Sequence, residues 1–311
     1  MRILISILFA CSLLARSPAE EPRPTPSGNA TIRNAAGPSE IVITTTSRLA
    51  GAIHSLTWNG KEFIDSHDHG RQLQSAASFA TSFGPKFWAE QFNPTEAGSR
   101  ADGRGEKTSS KLLHLLAGDS ALETRTQMAF WLAPGENSSG RPALNEAALS
   151  NHLLAKRVRI GYRNLPHVID YNVTFTVPAG ERHAFAQFEA LTGYMPPEFS
   201  TFWSTDADGI LHVLTDGPGE QNRPIVFATA DGNHAMGIFS PNQPSRGFEN
   251  AGYGRFRFAT EKVVKWNCVF RVQSPSGIPT GEHSFRLFVP VGSLKDVQTS
   301  LYVLMNEFAK P

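Results

Sequence analysis

The stretch Asp65-Ser66-His67-Asp68-His69-Gly70-Arg71-Gln72-Leu73-Gln74 concentrates carboxylates, imidazoles, a guanidinium and amides in one short run. Those groups match the needs of sugar chemistry. An imidazole and a carboxylate remove and deliver protons near neutral pH, a guanidinium pairs with a uronate-type carboxylate, and amides bond hydroxyls as donor and acceptor. Run as an extended chain, the segment projects Asp65, His67, His69 and Arg71 to one side. The competing arrangement is a solvated loop in which Arg71 pairs with Asp65 or Asp68 and fixes the turn. From this run His69 is the candidate acid or base, and His67, Arg71, Gln72 and Gln74 are candidate ligand contacts.

A second surface spans Phe87-Trp88-Ala89-Glu90-Gln91-Phe92-Asn93-Pro94-Thr95-Glu96-Ala97-Gly98-Ser99. Trp88 offers a ring face for stacking on a sugar, Asn93 bonds hydroxyls, and Glu96 is a second candidate acid or base. The alternative places Trp88 and Phe92 as core anchors of a surface loop. Residues 93–107 are rich in Gly and charge and read as a mobile loop over a cleft. A third set comprises Arg246, Glu249, Asn250, Tyr253 and Arg255, with Glu249 as the candidate partner base. Asp65-x-His67-x-His69 also has the alternate spacing of strand-borne metal ligands, but no second ligand group closes the set, so no metal is expected. No Gly-rich phosphate loop and no Gly-x-Ser-x-Gly elbow occurs, so no nucleotide cofactor is expected and an α/β-hydrolase is excluded.

The elements that must position these groups are strands. Ile41 to Thr46 is β-branched throughout, Ala52 to Trp58 alternates apolar with polar, and Asn59-Gly60 supplies a type I′ hairpin turn before Lys61 to Ile64. Further strand-like runs cover 122–132, 156–162, 168–177, 184–191, 210–214, 225–229, 235–239, 255–260, 263–273 and 283–289, separated by Gly, Asp and Asn turn chemistry. The spacing of Val297, Leu301, Leu304 and Phe308 predicts a C-terminal helix with Ser293 as its N-cap, and 145–154 reads as a short helix. The fold class is therefore all-β, a large antiparallel sandwich with few helices.

Composition sets the outer bounds. A chain of 311 residues with 40% hydrophobic and 18% charged residues has enough apolar content for a sizeable ordered core. Lys and Arg total 29 against 28 Asp and Glu, a balance too even to steer nucleic acid. Arg2 followed by the apolar run Ile3 to Ala15 and by Ser17-Pro18-Ala19 reads as a signal peptide over 1–19, which places the protein in the periplasm or outside the cell. That run is shorter than the ~20 residues of a membrane span, and no later run approaches it. Leu8-Phe9-Ala10-Cys11 resembles a lipoprotein cleavage site, so anchoring through Cys11 is an alternative. Residues 20–39, with Pro22, Pro24, Pro26 and Pro38, read as a flexible leader before a single domain over 40–311. Cys268 then has no partner for a bridge and is expected to lie in the core.

The order Gly51-Ala52-Ile53-His54-Ser55-Leu56-Thr57-Trp58-Asn59-Gly60-Lys61-Glu62-Phe63-Ile64, followed by His69-Gly70-Arg71, resembles the opening of galactose mutarotase-like domains. The run Asp231 to Pro241 is similar to a later strand pattern of that superfamily. The resemblance spans about residues 40–311 and implies a β-supersandwich that binds carbohydrate on a concave sheet. It implies a sugar contact for Arg71 alone; the His-bearing strand of the epimerases is not recognisable, so His69 and Glu249 rest on their chemistry here. Related folds serve as lyases and as accessory domains of glycoside hydrolases, so the resemblance implies a ligand class rather than a reaction. The resulting expectation is an exported protein that binds a sugar or polysaccharide and acts on it by His and carboxylate acid-base chemistry, as an epimerase, lyase or hydrolase. A non-catalytic binding module and a structural envelope protein are the competing classes.

Overall fold

The computed structural model describes residues 26–82, 87–241 and 252–309. The expected signal peptide, Cys11, Arg246, Glu249 and Asn250 lie outside the described residues. Strands β1 (Ala30–Ala36), β2 (Ser39–Thr45), β3 (Ile53–Trp58) and β4 (Lys61–Glu62) form an antiparallel meander. At its tight turn Asn59 and Gly60 have φ of 49° and 72°, the paired positive values of the expected type I′ hairpin. β1 lies inside the stretch expected to be a flexible leader. Ile32 and Ala36 are buried there, and seven residues pair with β2, so apolar alternation outweighs the proline-rich start.

Next come β5 (Leu73–Ala80), β6 (Pro94–Thr95), β7 (Lys111–Ala117) and β8 (Ala121–Phe130), with a side ribbon of β9 (Asn137–Ser138) and β10 (Arg141–Pro142). β11 (Leu149–Tyr162), β12 (Leu165–Val177) and β13 (Phe185–Met195) are long antiparallel strands. The chain then builds β14 (Thr201–Thr205), β15 (Leu211–Leu214), β16 (Gly219–Gln221), β17 (Ile225–Ala228) and β18 (Ala235–Ile238). It closes with β19 (Gly252–Phe258), β20 (Val263–Gln273), β21 (Gly281–Gly292) and helix α1 (Leu294–Phe308). No helix forms over the expected 145–154; residues 145–148 are irregular and 149–154 are the start of β11. Ser150, His152, Leu154, Lys156, Val158 and Ile160 are buried in strict alternation, a period of two that no helix satisfies.

The ladders form two layers. One runs β5–β13–β20–β19–β16, the other β7–β8–β11–β12–β21–β18–β17–β14–β15. Rings from the two layers meet in the core, Phe270 with Phe285 at 4.4 Å and Phe188 with Phe175 at 5.1 Å between centroids. α1 covers the outer face of the second layer, seating Val297, Leu301 and Leu304 on Val168, Val226 and Phe288. Ser293 caps it as expected, in a reciprocal box with Asp296. Cys268 is buried, and burial pushes its thiol well above the ordinary cysteine value.

Between the layers lies one ion pair. Lys156 Nζ of β11 sits 2.5 Å from Glu96 Oε1, with both side chains fully buried. Lys156 also donates to the Gly51 carbonyl at 2.6 Å, and Glu96 Oε2 accepts from the Ser75 amide at 3.1 Å. Removing one member leaves an uncompensated interior charge. Lys156→Met alone is expected to lose about 3–5 kcal/mol in denaturant unfolding, whereas Lys156→Met with Glu96→Gln recovers most of that loss. Additive losses in the double variant would contradict the pairing.

Candidate functional site

The polar run from Asp65 to Gln72 is a loop, not a strand. Residues 65–72 carry no ladder, and β5 begins only at Leu73. Asp65 caps the His67 amide and Asp68 the Gly70 amide, both at 2.9 Å. Arg71 reaches back to Asp68 at 3.2 Å and Asp65 at 3.7 Å, so its guanidinium fixes the loop, as the alternative arrangement had it. His67 is exposed and leans on Arg104. His69 is buried, each ring nitrogen 2.9 Å from a backbone carbonyl, Nδ1 from Gly103 and Nε2 from Arg48. Gln72 is buried and donates to the Asp68 carbonyl.

The second run divides as well. Glu96 belongs to the interior pair and faces away from solvent. Trp88 bonds Ser138 through Nε1 at 3.1 Å and lies under the Arg141 guanidinium on the side ribbon. The stretch expected as a mobile loop is tied down: Ser99 caps a turn over Arg100–Asp102, and Asp102 Oδ2 accepts from the Ser99 and Ser109 amides at 2.7 and 2.9 Å. From the third set, Tyr253 is buried and Arg255 is bound to Thr215 and Gln221. The structure thus draws His69, Glu96 and Trp88 into separate packing roles and does not bring them together.

Two of the expected contacts, Gln74 and Asn93, do share a cleft. β5 alternates, with Leu73, Ala77 and Phe79 in the core and Gln74, Ala76 and Ser78 on the outer face. On neighbouring strands Glu189, Thr192 and Tyr194 of β13 and Lys265 of β20 project to that same face and complete the floor. Residues 87–93 fold over it as a roof bearing Glu90 and Asn93, Thr95 of β6 continues that roof, and Trp131 forms one wall. The hollow measures about 160 Å³. Pockets for drug-sized ligands run ~300–1,000 Å³, so the space suits one ring rather than a long chain segment.

Gln74, Asn93 and Glu189 are each held by partners. Gln74 donates to the Gly70 carbonyl at 3.0 Å and accepts from the Ala97 amide at 3.1 Å. Asn93 Nδ2 donates to the Ala77 carbonyl at 2.5 Å and to Ser78 Oγ at 3.1 Å. Glu189 receives Lys265 Nζ and Asn267 Nδ2, each at 3.3 Å. Burial opposes the Lys265 charge, but the Glu189 carboxylate and the Tyr194 hydroxyl outweigh it and hold the ammonium above the usual lysine value. Burial raises the Tyr194 phenol despite Lys265 nearby, so it stays protonated and can donate. Trp131, Glu189, Tyr194 and Lys265 were not singled out from sequence; Glu189, Tyr194 and Lys265 face outward on their strands, and Trp131 follows the end of β8.

A larger hollow of about 750 Å³ lies on the outer face of β8, β11 and β12, lined by Arg125, Arg157, Arg159, Asp170 and Arg286 among others. No Trp, Tyr or Phe borders it, and Arg157 and Arg286 are already paired with Glu123 and Asp170. Of these two hollows, the smaller combines a ring face, amides and carboxylates.

No protein-family model matches the chain, and no curated protein matches it. Solved structures with a similar chain course include carbohydrate-active enzymes. The α-galactosidase from Lactobacillus brevis is 9% identical with a TM-score of 0.48, over 91% of this chain and 42% of that one. The α-N-acetylgalactosaminidase NagBb from Bifidobacterium bifidum is 10% identical with a TM-score of 0.46, over 89% and 38%. The Slr1438 protein from Synechocystis sp. PCC 6803 is 11% identical with a TM-score of 0.45, over 87% and 98%. At such values what the site does is decided by its own residues.

Gly70 is part of that geometry. A Cβ there would stand 2.7 Å from Trp131 Cη2. Gly70→Ala is therefore expected to push the indole aside with a stability change of about 1 kcal/mol or less. The near-UV circular dichroism should change in the wild-type background and not in Trp131→Phe; an identical change in both would separate Gly70 from the wall.

Proposed function

We propose that this is an exported carbohydrate-active protein whose cleft holds a single sugar ring against Trp131. The observation that carries the reading is the meeting, in one ring-sized hollow, of an indole with Gln74, Asn93, Tyr194, Glu90 and Glu189. Apolar sugar faces stack on aromatic rings, and hydroxyls need partners that both give and take hydrogen bonds. Asn93 has its NH₂ committed to β5, which leaves Oδ1 to accept from a ligand hydroxyl. Tyr194 donates, and the Lys265–Glu189 pair offers charge of both signs. The similarity of residues 51–71 to galactose mutarotase-like domains supports the same ligand class. Export rests on the signal-like residues 1–19.

Acid-base chemistry, if the cleft performs it, falls to carboxylates rather than to His69. Glu90 on the roof and Glu189 on the floor border the hollow from two sides, the arrangement a proton donor and acceptor require. The test is a panel of monosaccharides and polysaccharides scored for binding and for new reducing ends or unsaturated products. Trp131→Ala and Asn93→Ala should each weaken binding about tenfold, equivalent to about 1.4 kcal/mol. Glu90→Gln and Glu189→Gln should abolish product formation while binding persists. Binding without products in the wild type would make the cleft a non-catalytic module; no saccharide bound at all would sink the proposal.

A further inference from the structure

A second group of side chains, away from the cleft, has the composition of a metal site. His152 of β11 meets Glu181 and His183 of the turn between β12 and β13, and one ligand atom from each lies within 4.8 Å of the others. Glu181 Oε2 is 2.7 Å from His183 Nε2 and 3.3 Å from His152 Nε2. Nitrogen and oxygen ligands bound tetrahedrally at ~2.0–2.1 Å stand about 3.3 Å apart, the spacing already present between His152 and Glu181, while Glu181 and His183 exchange their 2.7 Å hydrogen bond for the ion.

His152 is the independent sign. It is only 2% exposed, yet neither ring nitrogen makes a hydrogen bond among the described residues. Buried imidazoles ordinarily have partners, because an unmet polar atom in the interior costs about 1–3 kcal/mol. The backbone is bent to place it. β11 advances from Leu149 to Leu153 while β8 moves only from Ala129 to Gln127, a bulge of the kind that re-aims a side chain. On the other side, the His183 carbonyl accepts from the Ile278 amide at 2.6 Å, which anchors the turn. Phe79 packs on both imidazoles at 4.8 Å and excludes water from their inner side.

We propose that His152, Glu181 and His183 bind one divalent transition cation of the zinc type, stapling the β12–β13 turn to β11. Two imidazoles and a carboxylate are borderline ligands that favour such ions over calcium or magnesium. A hollow of about 400 Å³, bordered by Glu146, Asn151, Glu181 and His183, opens beside the group and leaves room for a water or small ligand as fourth donor.

The test uses the full chain stripped with EDTA and titrated calorimetrically with zinc chloride, with cobalt(II) as a spectroscopic substitute. Saturation at one equivalent, four- or five-coordinate cobalt bands and a thermal midpoint that climbs with free zinc are expected. His152→Phe, which joins Phe79, Phe92 and Phe130, and the rim variants Glu181→Gln and His183→Gln should each weaken binding tenfold or more. The two rim variants keep the test open should His152→Phe fail to fold. Absence of saturable binding, or binding that the folded variants leave within twofold of wild type, would overturn the assignment.

Discussion

A lysine and a glutamate enclosed between two β-layers must satisfy each other, and this requirement organises the cleft. Glu96 cannot leave Lys156 without stranding a charge, and its second oxygen holds the Ser75 amide of β5. The residues on either side inherit that fixed position. The Ala97 amide reaches Gln74, Thr95 pairs with Ala76, and Asn93 bonds the Ala77 carbonyl. The roof of the cleft is thus moored to its floor strand by an interaction on the opposite side of the sheet. Polar groups that cost stability inside the sandwich position polar groups that bind outside it.

Much of the architecture was legible because its strands are apolar runs, buried at alternate positions along most of β12 and continuously in β17. The expected runs over 168–177, 225–229, 263–273 and 283–289 correspond to β12, β17, β20 and β21, and the Asn59-Gly60 turn and Ser293 cap carry their own local chemistry. β5 was hidden because Gln74, Ser75, Ala76, Ala77 and Ser78 are small or polar yet all buried, so neither alternation nor a hydrophobic run marks them. At 145–154 the apolar spacing imitates a helix, but pairing with β8 and β12 decides the outcome.

The site was less legible than the fold for a physical reason. Dense polarity along the chain drew attention to 65–74, where short-range Asx turns and the Arg71 clamp consume the same groups that appeared reactive. The cleft instead assembles across strands, from Gln74, Glu189, Thr192 and Lys265, whose sequence neighbours are core residues. The His152, Glu181 and His183 group has the same character: a strand bulge and a turn meet, and no local spacing announces it.

The thiol of Cys268 lies on β20, opposite Leu191 of β13, beneath the strands that make the cleft floor. Shielded there and held as the unreactive neutral form, it meets an alkylating reagent only when those strands part. The chain therefore contains its own clock for breathing of the floor: the labelling rate of this sulfur reports how often the sheet opens, and a ligand that braces the floor would slow it.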